Sequence, residues 1–412
     1  MTAEHSETKV TFPREFPGIH YYGREEEEAV LRVIRNKSPF RYYGASFLQE
    51  ANHLEEEMAK RLGRKYAQAV SSGTNGLRVA LSALGVGPGQ EVLIPGFFWV
   101  STVAAVVRSG AIPVLVEIDD SFNMCLADLQ KKISPRSTVV LPVHMCGVPV
   151  NMPAIMDIAD KHNLRVLEDC AQANGATLEG KQVGTFGHIA MFSFQMNKAI
   201  TAGEGGMIVT DDEALWLRCN AAHDVGLPWI GGIPALDHEV SLWGMGARMS
   251  ELTAAVMRAQ LSKLDRIVEH MRGSKTRIKE RLSDLHGISW RRVDDPAGDN
   301  GSFIIARCET AERAATLAAN ATQLGLTCVH LPDYGLHQYY NVQPLVKQSS
   351  NSPDGYPWTH PKNSDSRFDY NKGALPRTDQ IFERGVVLPV PSNLTEQQEE
   401  AFATIFRRAY QT

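Results

Sequence analysis

The sequence has no long apolar run, and nothing in it approaches the roughly 20 apolar residues that a membrane-spanning helix needs. It also lacks a basic excess. Its 42 Lys and Arg stand against 47 Asp and Glu, a net charge of −5, so nothing favours nucleic acid or an anionic membrane as partner. Cysteine is sparse and unpatterned: Cys125, Cys146, Cys170, Cys219, Cys308 and Cys328 show no short pair spacing. Neither a disulfide framework nor a zinc site is indicated, and the six read as reduced, mostly buried thiols. The opening MTAEHSETKVTFPREF lacks the basic-then-apolar order of a signal peptide, so the expected location is cytoplasmic. His144, His188, His223, His330, His337 and His360 are scattered without ligand spacing, and no metal is expected. There is no internal repeat or low-complexity block. What remains is the composition of an ordinary soluble enzyme, 43% hydrophobic and 22% charged over 412 residues, which suits a large domain plus a smaller one.

The order of patterns specifies more. Residues 24–36 carry acids first and apolar Val30, Leu31 and Ile34 on one side, predicting a helix that Pro39 stops. Leu54, Met58 and Leu62 mark a second helix over Leu48–Leu62. Short apolar runs then alternate with helical ones. Strands are expected at 66–70, 91–95, 113–118, 137–147, 165–169, 188–194 and 207–210. Runs without polar alternation are buried on both faces, and helices between them imply a mainly parallel sheet. A long helical pattern over 251–272 reads as a connector. Beyond it come helices near 274–285 and 310–324, strands near 302–307 and 386–389, and a polar loop over 346–374. The expected division is an N-terminal arm and helix over 1–40, a large α/β domain over 41–265, and a smaller α+β domain over 266–412 that the N-terminal helix helps complete. A loop as long as 346–374 is expected to be a functional lid or a contact surface.

Chemistry concentrates in 165–206, RVLEDCAQANGATLEGKQVGTFGHIAMFSFQMNKAITAGEGG. Asp169 directly follows an apolar run, and Lys198 follows the next one inside a glycine-rich loop. A buried carboxylate and a buried amine on neighbouring strands suit pyridoxal 5'-phosphate (PLP): the Asp keeps the pyridine nitrogen protonated, and the Lys forms the covalent link and moves the proton. Alone the pattern is ambiguous, since such an Asp is commonly a cap and such a Lys commonly solvated. SSGTNG (71–76) lies between a strand and a helix start, where N–H groups can bind an anion or simply be capped. IPGFFWVST (94–102) puts Trp99 after a strand, able to pack in a core or to stack on a flat ring. Ligands of open α/β sheets gather beyond the carboxyl ends of the strands, where Asp169, Ser193 and Lys198 all fall. The stretch VHLPDYGLHQYY, with His330, Tyr334, His337 and Tyr339, is a candidate surface for a polyhydroxylated substrate.

SSGTNGLRVAL, EVLIPGFFWVSTVAAV, LPVHMCGVPVNM, VLEDCAQANGA, FSFQMNKAITAGEGGMIVT and GMGARMSELTAAV follow one another in order. Together they closely resemble the DegT/DnrJ/EryC1/StrS family of PLP-dependent sugar aminotransferases. The resemblance is strong over residues 20–270 and extends through 374–398. It implies the aspartate aminotransferase (type I) fold, a mainly parallel central sheet with flanking helices plus a smaller C-terminal α+β domain. It also implies that Lys198 carries the cofactor and shuttles protons while Asp169 pairs with the pyridinium. Trp99 would stack on the ring, Gln172 would approach its phenolic oxygen, and Gly73, Thr74 and Ser193 would hold the phosphate. Pyridoxamine 5'-phosphate would alternate with PLP. Family members are homodimers with shared sites, so GMGARMSE (244–251) would enter from the partner chain, with Arg248 near the site. Two departures concern contacts there: Gly246 replaces the usual Asn, and Val225 the His of a common His-Gly pair. His330 joins Arg248 and Gly246 as a candidate substrate or partner-chain contact.

The implied reaction moves an amino group from L-glutamate or L-glutamine to a ketone or aldehyde of a sugar or cyclitol. A PLP-type sugar dehydratase is the alternative, though such relatives carry His in place of the Lys. A non-catalytic regulator is another, which intact Lys198, Asp169 and phosphate loop argue against. VHMCG is similar to transaminases for amino-octulosonate sugars of lipopolysaccharide. Trp99 and FSFQMNK are similar to the aminocyclitol branch.

Overall fold

The computed structural model describes residues 10–230, 232–236, 238–365 and 368–412. Seven apolar runs form the main sheet: β1 (Tyr66–Val70), β2 (Glu91–Pro95), β3 (Ile112–Val116), β4 (Ser137–Val140), β5 (Arg165–Asp169), β6 (Ile189–Ser193) and β7 (Gly206–Thr210). Their spatial order is β1-β7-β6-β5-β4-β2-β3. All neighbours pair parallel except β7, which runs against both β1 and β6. Every residue of β2, β3, β6 and β7 is buried, which is why these runs show no polar alternation.

Helices α1 (Arg24–Arg35), α2 (Glu50–Leu62), α3 (Gly73–Ala83), α4 (Val100–Ser109), α5 (Leu126–Lys132), α6 (Met152–Lys161), α7 (Glu213–His223) and α8 (Glu251–Leu261) surround this sheet. Their starts are written locally. Ser72 caps α3 by accepting the Asn75 N–H at 3.1 Å, Asn151 caps α6 ahead of Pro153, and Asp212 caps α7. The single long helix expected over 251–272 is interrupted at Lys263. There the ammonium group leaves for the Glu26 carboxylate (2.7 and 2.8 Å) and the Tyr21 carbonyl (2.8 Å). Helix α9 (Leu264–Arg281) then absorbs most of the separate helix expected near 274–285. The 137–147 run is a strand only to Val140, and Pro142 follows, with no N–H to continue the ladder.

A second, fully antiparallel sheet contains β8 (Ile288–Trp290), β9 (Phe303–Cys308), β10 (Val329–His330) and β11 (Gly385–Pro389) in the order β8-β9-β11-β10. It packs with α9, α10 (Ala311–Gln323) and α12 (Glu396–Gln411), while α11 (Pro376–Glu383) leads into β11. The N-terminal helix does not complete this unit. Ala29 and Val33 of α1 pack on Ala255 of α8, while among the described residues of the preceding arm Phe12 reaches the C-terminal cluster, edge-on to Phe402. The arm's Gly18 N–H donates to the Lys198 carbonyl (3.3 Å), the Ser392 hydroxyl donates to the Pro17 carbonyl (2.8 Å), and the Tyr21 hydroxyl donates to the Ser392 carbonyl (2.8 Å).

The described residues of the 346–374 segment are fastened to the main sheet. Asn363 accepts the Gly89 N–H (2.7 Å) and donates to the Gly110 carbonyl (3.0 Å), in the turns that precede β2 and β3. Tyr370 donates to the Pro113 carbonyl at 2.8 Å. These contacts lie at the amino ends of the strands and along β3, the last strand of the order. The segment covers an open sheet edge, a surface that would otherwise present unpaired backbone groups.

Glu168 ties this frame together. Fully buried on β5, it accepts the N–H groups of Gly184 (2.8 Å), Phe186 (2.8 Å) and Gly187 (2.6 Å), and the ring of His144 lies 3.1 Å away. Burial pushes its carboxyl up, but the His144 contact and the Gly187 and Gly184 N–H groups outweigh that and hold it below the usual value. Its contribution is therefore present above the unfolded carboxyl range and lost as pH falls through the depressed folded value. We expect Glu168→Gln, which turns an NH₂ toward these donors, to destabilise the protein by about 2–4 kcal/mol in urea unfolding at neutral pH. A loss below about 0.5 kcal/mol, the range of ordinary surface substitutions, would refute this role.

Candidate active site

A cavity of about 390 Å³ opens beyond the carboxyl ends of β1, β2, β5 and β6. Each wall comes from the residues that follow a strand. Beyond β1, Ser72, Gly73 and Thr74 begin α3. Their helix leaves its first N–H groups without intrahelical partners, and none of the backbone hydrogen bonds engages those of Gly73 and Thr74. Gly73 must be glycine, because a Cβ there would stand 2.8 Å from that of Ser193. Beyond β2, Trp99 precedes α4 and remains 42% exposed with its ring at the cavity. The first turn of α4 adds Ser101, 2.7 Å from the Thr74 hydroxyl, and Thr102.

Asp169 ends β5. The Thr102 hydroxyl donates to its Oδ2 at 2.9 Å and the Ala171 N–H to its Oδ1 at 3.0 Å. Burial nonetheless raises its carboxyl above the ordinary value, against the lowering effect of these two donors and of Lys198. Lys198 follows β6, surrounded by protein, and its amine is held below the ordinary lysine value by burial, with Asp169, Cys146 and Glu204 opposing. Its ammonium makes no salt bridge among the described residues. Gln172 accepts the Cys146 N–H at 3.0 Å, which fixes its amide oxygen and leaves the NH₂ group as donor. The site thus holds two opposed ionisable groups, each shifted toward its neutral form by burial.

Of the residues singled out in the sequence, Lys198, Asp169, Gly73, Thr74, Trp99 and Gln172 line one cavity. Ser193 lies behind its wall, against Gly73. Gly246, Arg248 and His330 lie off it: Arg248 pairs with Asp224, and the His330 ring meets the Glu383 carbonyl at 2.8 Å. From the same histidine-tyrosine stretch, Tyr334 and His337 are the ones that reach the cavity, their rings stacked at 4.1 Å, whereas Tyr339 is buried on Asp379. His337 also lies 4.9 Å from the Trp99 ring. Burial presses its pKa down to about 4, and its Nδ1 faces the Tyr334 carbonyl at 2.9 Å, so it is a neutral ring with Nδ1 protonated. Sequence reasoning missed Thr102, Ser101, Gln195, Asn300 and Glu15. Only Thr102 and Ser101 carried a signal, as hydroxyls one helical turn after a strand that ends at the site.

The model of the DegT/DnrJ/EryC1/StrS aminotransferase family matches residues 23–355. The chain belongs to this family. It is 33% identical over 369 residues to the UDP-N-acetyl-3-dehydro-alpha-D-glucosamine 3-aminotransferase of Acidithiobacillus ferrooxidans, covering 88% of this chain and 90% of the relative. To the 3-amino-5-hydroxybenzoate synthase of Amycolatopsis mediterranei it is 34% identical over 297 residues, 70% of this chain and 74% of the relative. Among solved structures, 3-amino-5-hydroxybenzoic acid synthase superposes with a TM-score of 0.79 at 28% identity, over 94% of this chain and 96% of that one. The protein is an aminotransferase with the fold of that family.

A carboxylate buried against two donors but without a fixed cation costs stability while it is charged. We expect Asp169→Asn to stabilise the cofactor-free aminotransferase by about 1 kcal/mol at neutral pH, since the Thr102 hydroxyl can turn to accept from the new amide. The gap closes as pH falls through the raised folded value, because protonated Asp169 has no charge to bury. A marked destabilisation by Asp169→Asn in urea unfolding would show that the ionised carboxylate is paid for locally.

Proposed function

We propose that this aminotransferase uses PLP, held by Lys198, to move an amino group from L-glutamate or L-glutamine to a ketone or aldehyde carbon of a sugar or cyclitol. The observation that carries the proposal is the facing pair of Asp169 and Lys198 at the carboxyl ends of β5 and β6, both in one cavity. The residues present suit the cofactor. The raised carboxyl of Asp169 is a group short of a cation, which a ring N–H⁺ would supply. Gly73 and Thr74 offer unengaged N–H groups at a helix N-terminus for a phosphate, with the hydroxyls of Thr74 and Ser101 alongside and Ser193 supporting Gly73 from behind. Trp99 would cover a ring face, and the Gln172 NH₂ would donate to the phenolic oxygen. The bound cofactor would supply an electron sink for the carbanion formed at the substrate carbon.

The chain's own groups then have defined tasks. Asp169 keeps a proton on the ring nitrogen through a charge-assisted bond, oriented by Thr102 and Ala171. Lys198, its amine shifted toward the free base by burial, would take the proton from the substrate carbon and pass it to the cofactor carbon. The stacked Tyr334 and His337 present a neutral, polar-aromatic wall that suits a hydroxylated ring. The names of the relatives, which include a sugar-nucleotide aminotransferase and a benzoate synthase of antibiotic-producing Amycolatopsis, support a carbonyl acceptor of this kind.

The same reading makes the enzyme a cytoplasmic homodimer with shared sites, Arg248 serving the partner's cavity. The six cysteines, all buried and unpaired, fit a reducing compartment. Exposed Val225 (61%) and Trp243 (94%) on the segment before Arg248 fit a surface that a second copy covers. Gly246 has φ +63°, a left-handed conformation that both glycine and the family's usual Asn adopt readily, so the backbone path survives the departure.

With PLP, wild type is expected to develop a visible absorbance band that L-glutamate bleaches, and Lys198→Ala is expected to lack that band. A band that no amino donor shifts would overturn the aminotransferase assignment of Lys198. Shared sites have their own test. Lys198→Ala and Arg248→Ala, each inactive, should regain about a quarter of wild-type activity when mixed and allowed to exchange subunits. No recovery in verified hybrid dimers would place Arg248 outside the partner's site.

A further inference from the structure

A second recess, of about 290 Å³, lies on the other side of the loop that carries Asn300 to the catalytic cavity. Its walls are basic. Arg272, Lys275, Thr276 and Lys279 fall at i, i+3, i+4 and i+7 on α9, one face of the helix, and Arg291 comes from the end of β8. Like charges at this spacing repel, and a helix tolerates them cheaply only when an anion lies among them. Within the lining there is one carboxylate, Asp299, already engaged by Lys275 and by the Gly301 N–H at 2.8 Å. The nearby Asp295 accepts the Glu179 N–H at 2.7 Å, Asp265 is paired with Arg61, and Asp119 with Arg292 at 3.2 Å. Four cations therefore line a recess that contains one carboxylate, with Asp295 and Asp265 acting on Arg272 and Asp119 on Arg291 from outside it.

The cations are also preorganised. The Arg272 guanidinium is braced by the carbonyls of Asp299, Gly175 (3.2 Å) and Gly298 (3.3 Å). Arg291 is nearly buried and held by the carbonyls of Ser121 and Met145 (2.7 Å) and by Asn123 Oδ1 (3.0 Å). Burial lowers its pKa to about 10 and holds Arg272 and Lys279 below their ordinary values, with Lys275 adding to the effect on Lys279. The Lys279 ammonium makes no salt bridge and no hydrogen bond among the described residues, and it stands 5.8 Å from the Trp290 ring centroid. Two fixed guanidinium groups, two ammonium groups and the Thr276 hydroxyl in one concavity supply the several donors that a phosphate dianion takes.

We propose that this recess is an anion site separate from the catalytic cavity and takes a phosphate-bearing small molecule. Occupation would join α9 to the 295–301 loop, whose Asn300 donates to the Gln172 carbonyl at 3.1 Å and so helps hold the catalytic wall. The proposal is independent of the amino donor and acceptor.

The test is calorimetric titration of the full-length, PLP-saturated protein with inorganic phosphate at constant ionic strength. The cofactor absorbance is followed throughout, so that displacement at the cavity is seen. Wild type is expected to bind phosphate with a millimolar Kd and no change in the cofactor band. Lys279→Glu and the milder Lys279→Met should each weaken that binding about tenfold or more, the share of one charge-assisted contact, with unfolding curves close to wild type. Unchanged phosphate affinity in folded Lys279→Glu would overturn the assignment. So would wild-type binding that appears only with loss of the cofactor band, or no binding at phosphate concentrations of about 50 mM, far above the millimolar range.

Discussion

Two consecutive carboxylates on one buried strand govern this structure. Because side chains alternate along a strand, Glu168 and Asp169 point to opposite sides of the sheet. Glu168 is the satisfied one. Three backbone N–H groups and His144 surround it, so the turn that feeds β6 and the loop that leaves β4 are both fixed to β5. Asp169 is the unsatisfied one, with two donors and a distant amine for a fully buried charge. The first carboxylate stabilises the frame, and the frame holds the second in an environment that no isolated loop could impose. His144, Glu168 and Cys170 have the ligand atoms of a metal site within 4.8 Å of one another. The two ring nitrogens of His144 are already committed, one to Glu168 and one to the Val150 N–H at 3.0 Å, so the cluster belongs to the frame.

The strands of the main sheet and the helices between them were legible because burial on both faces leaves continuous apolar runs, a local signal. Lys198, Asp169 and the loop at Gly73 were legible for a related reason: each directly follows such a run. Thr102 and Asn300 were not, since each matters through contact with residues far along the chain. The histidine-tyrosine stretch was located but its members were not sorted, because which ring faces the cavity depends on single turns of 3-10 helix around 331–341. The break at Lys263 was hidden for the same reason. The apolar periodicity runs straight through it, and the carboxylate that attracts Lys263 belongs to α1, more than 230 residues earlier.

The polar 346–374 segment shows how composition can mislead. A long loop rich in Asn, Ser, Pro and Gly suggests a lid, yet here Asn363 and Tyr370 fasten it along β3 and the turns beside it. An edge strand with both faces buried needs a cover rich in backbone-directed hydrogen bonds, and those residue types supply it. The walls that do meet the cavity include the stretch around Tyr334 and His337, the loop at Asn300 and Ser302, and the arm at Glu15.

The arm has a consequence for the order of events in the cell. Pro17 and Gly18 touch both Ser392 and the backbone of Lys198, joining segments 375 residues apart at the loop that carries Lys198. A ribosome releases the arm early, but its partner at Ser392 emerges 375 residues after Pro17. Until then the lysine loop lacks one of its supports, and the cavity that Lys198 lines is unfinished. Contacts of such long sequence separation form late and slowly. Assembly of the surroundings of Lys198 is thus tied to synthesis as far as Ser392, and a product terminated before that residue would carry Lys198 without this support.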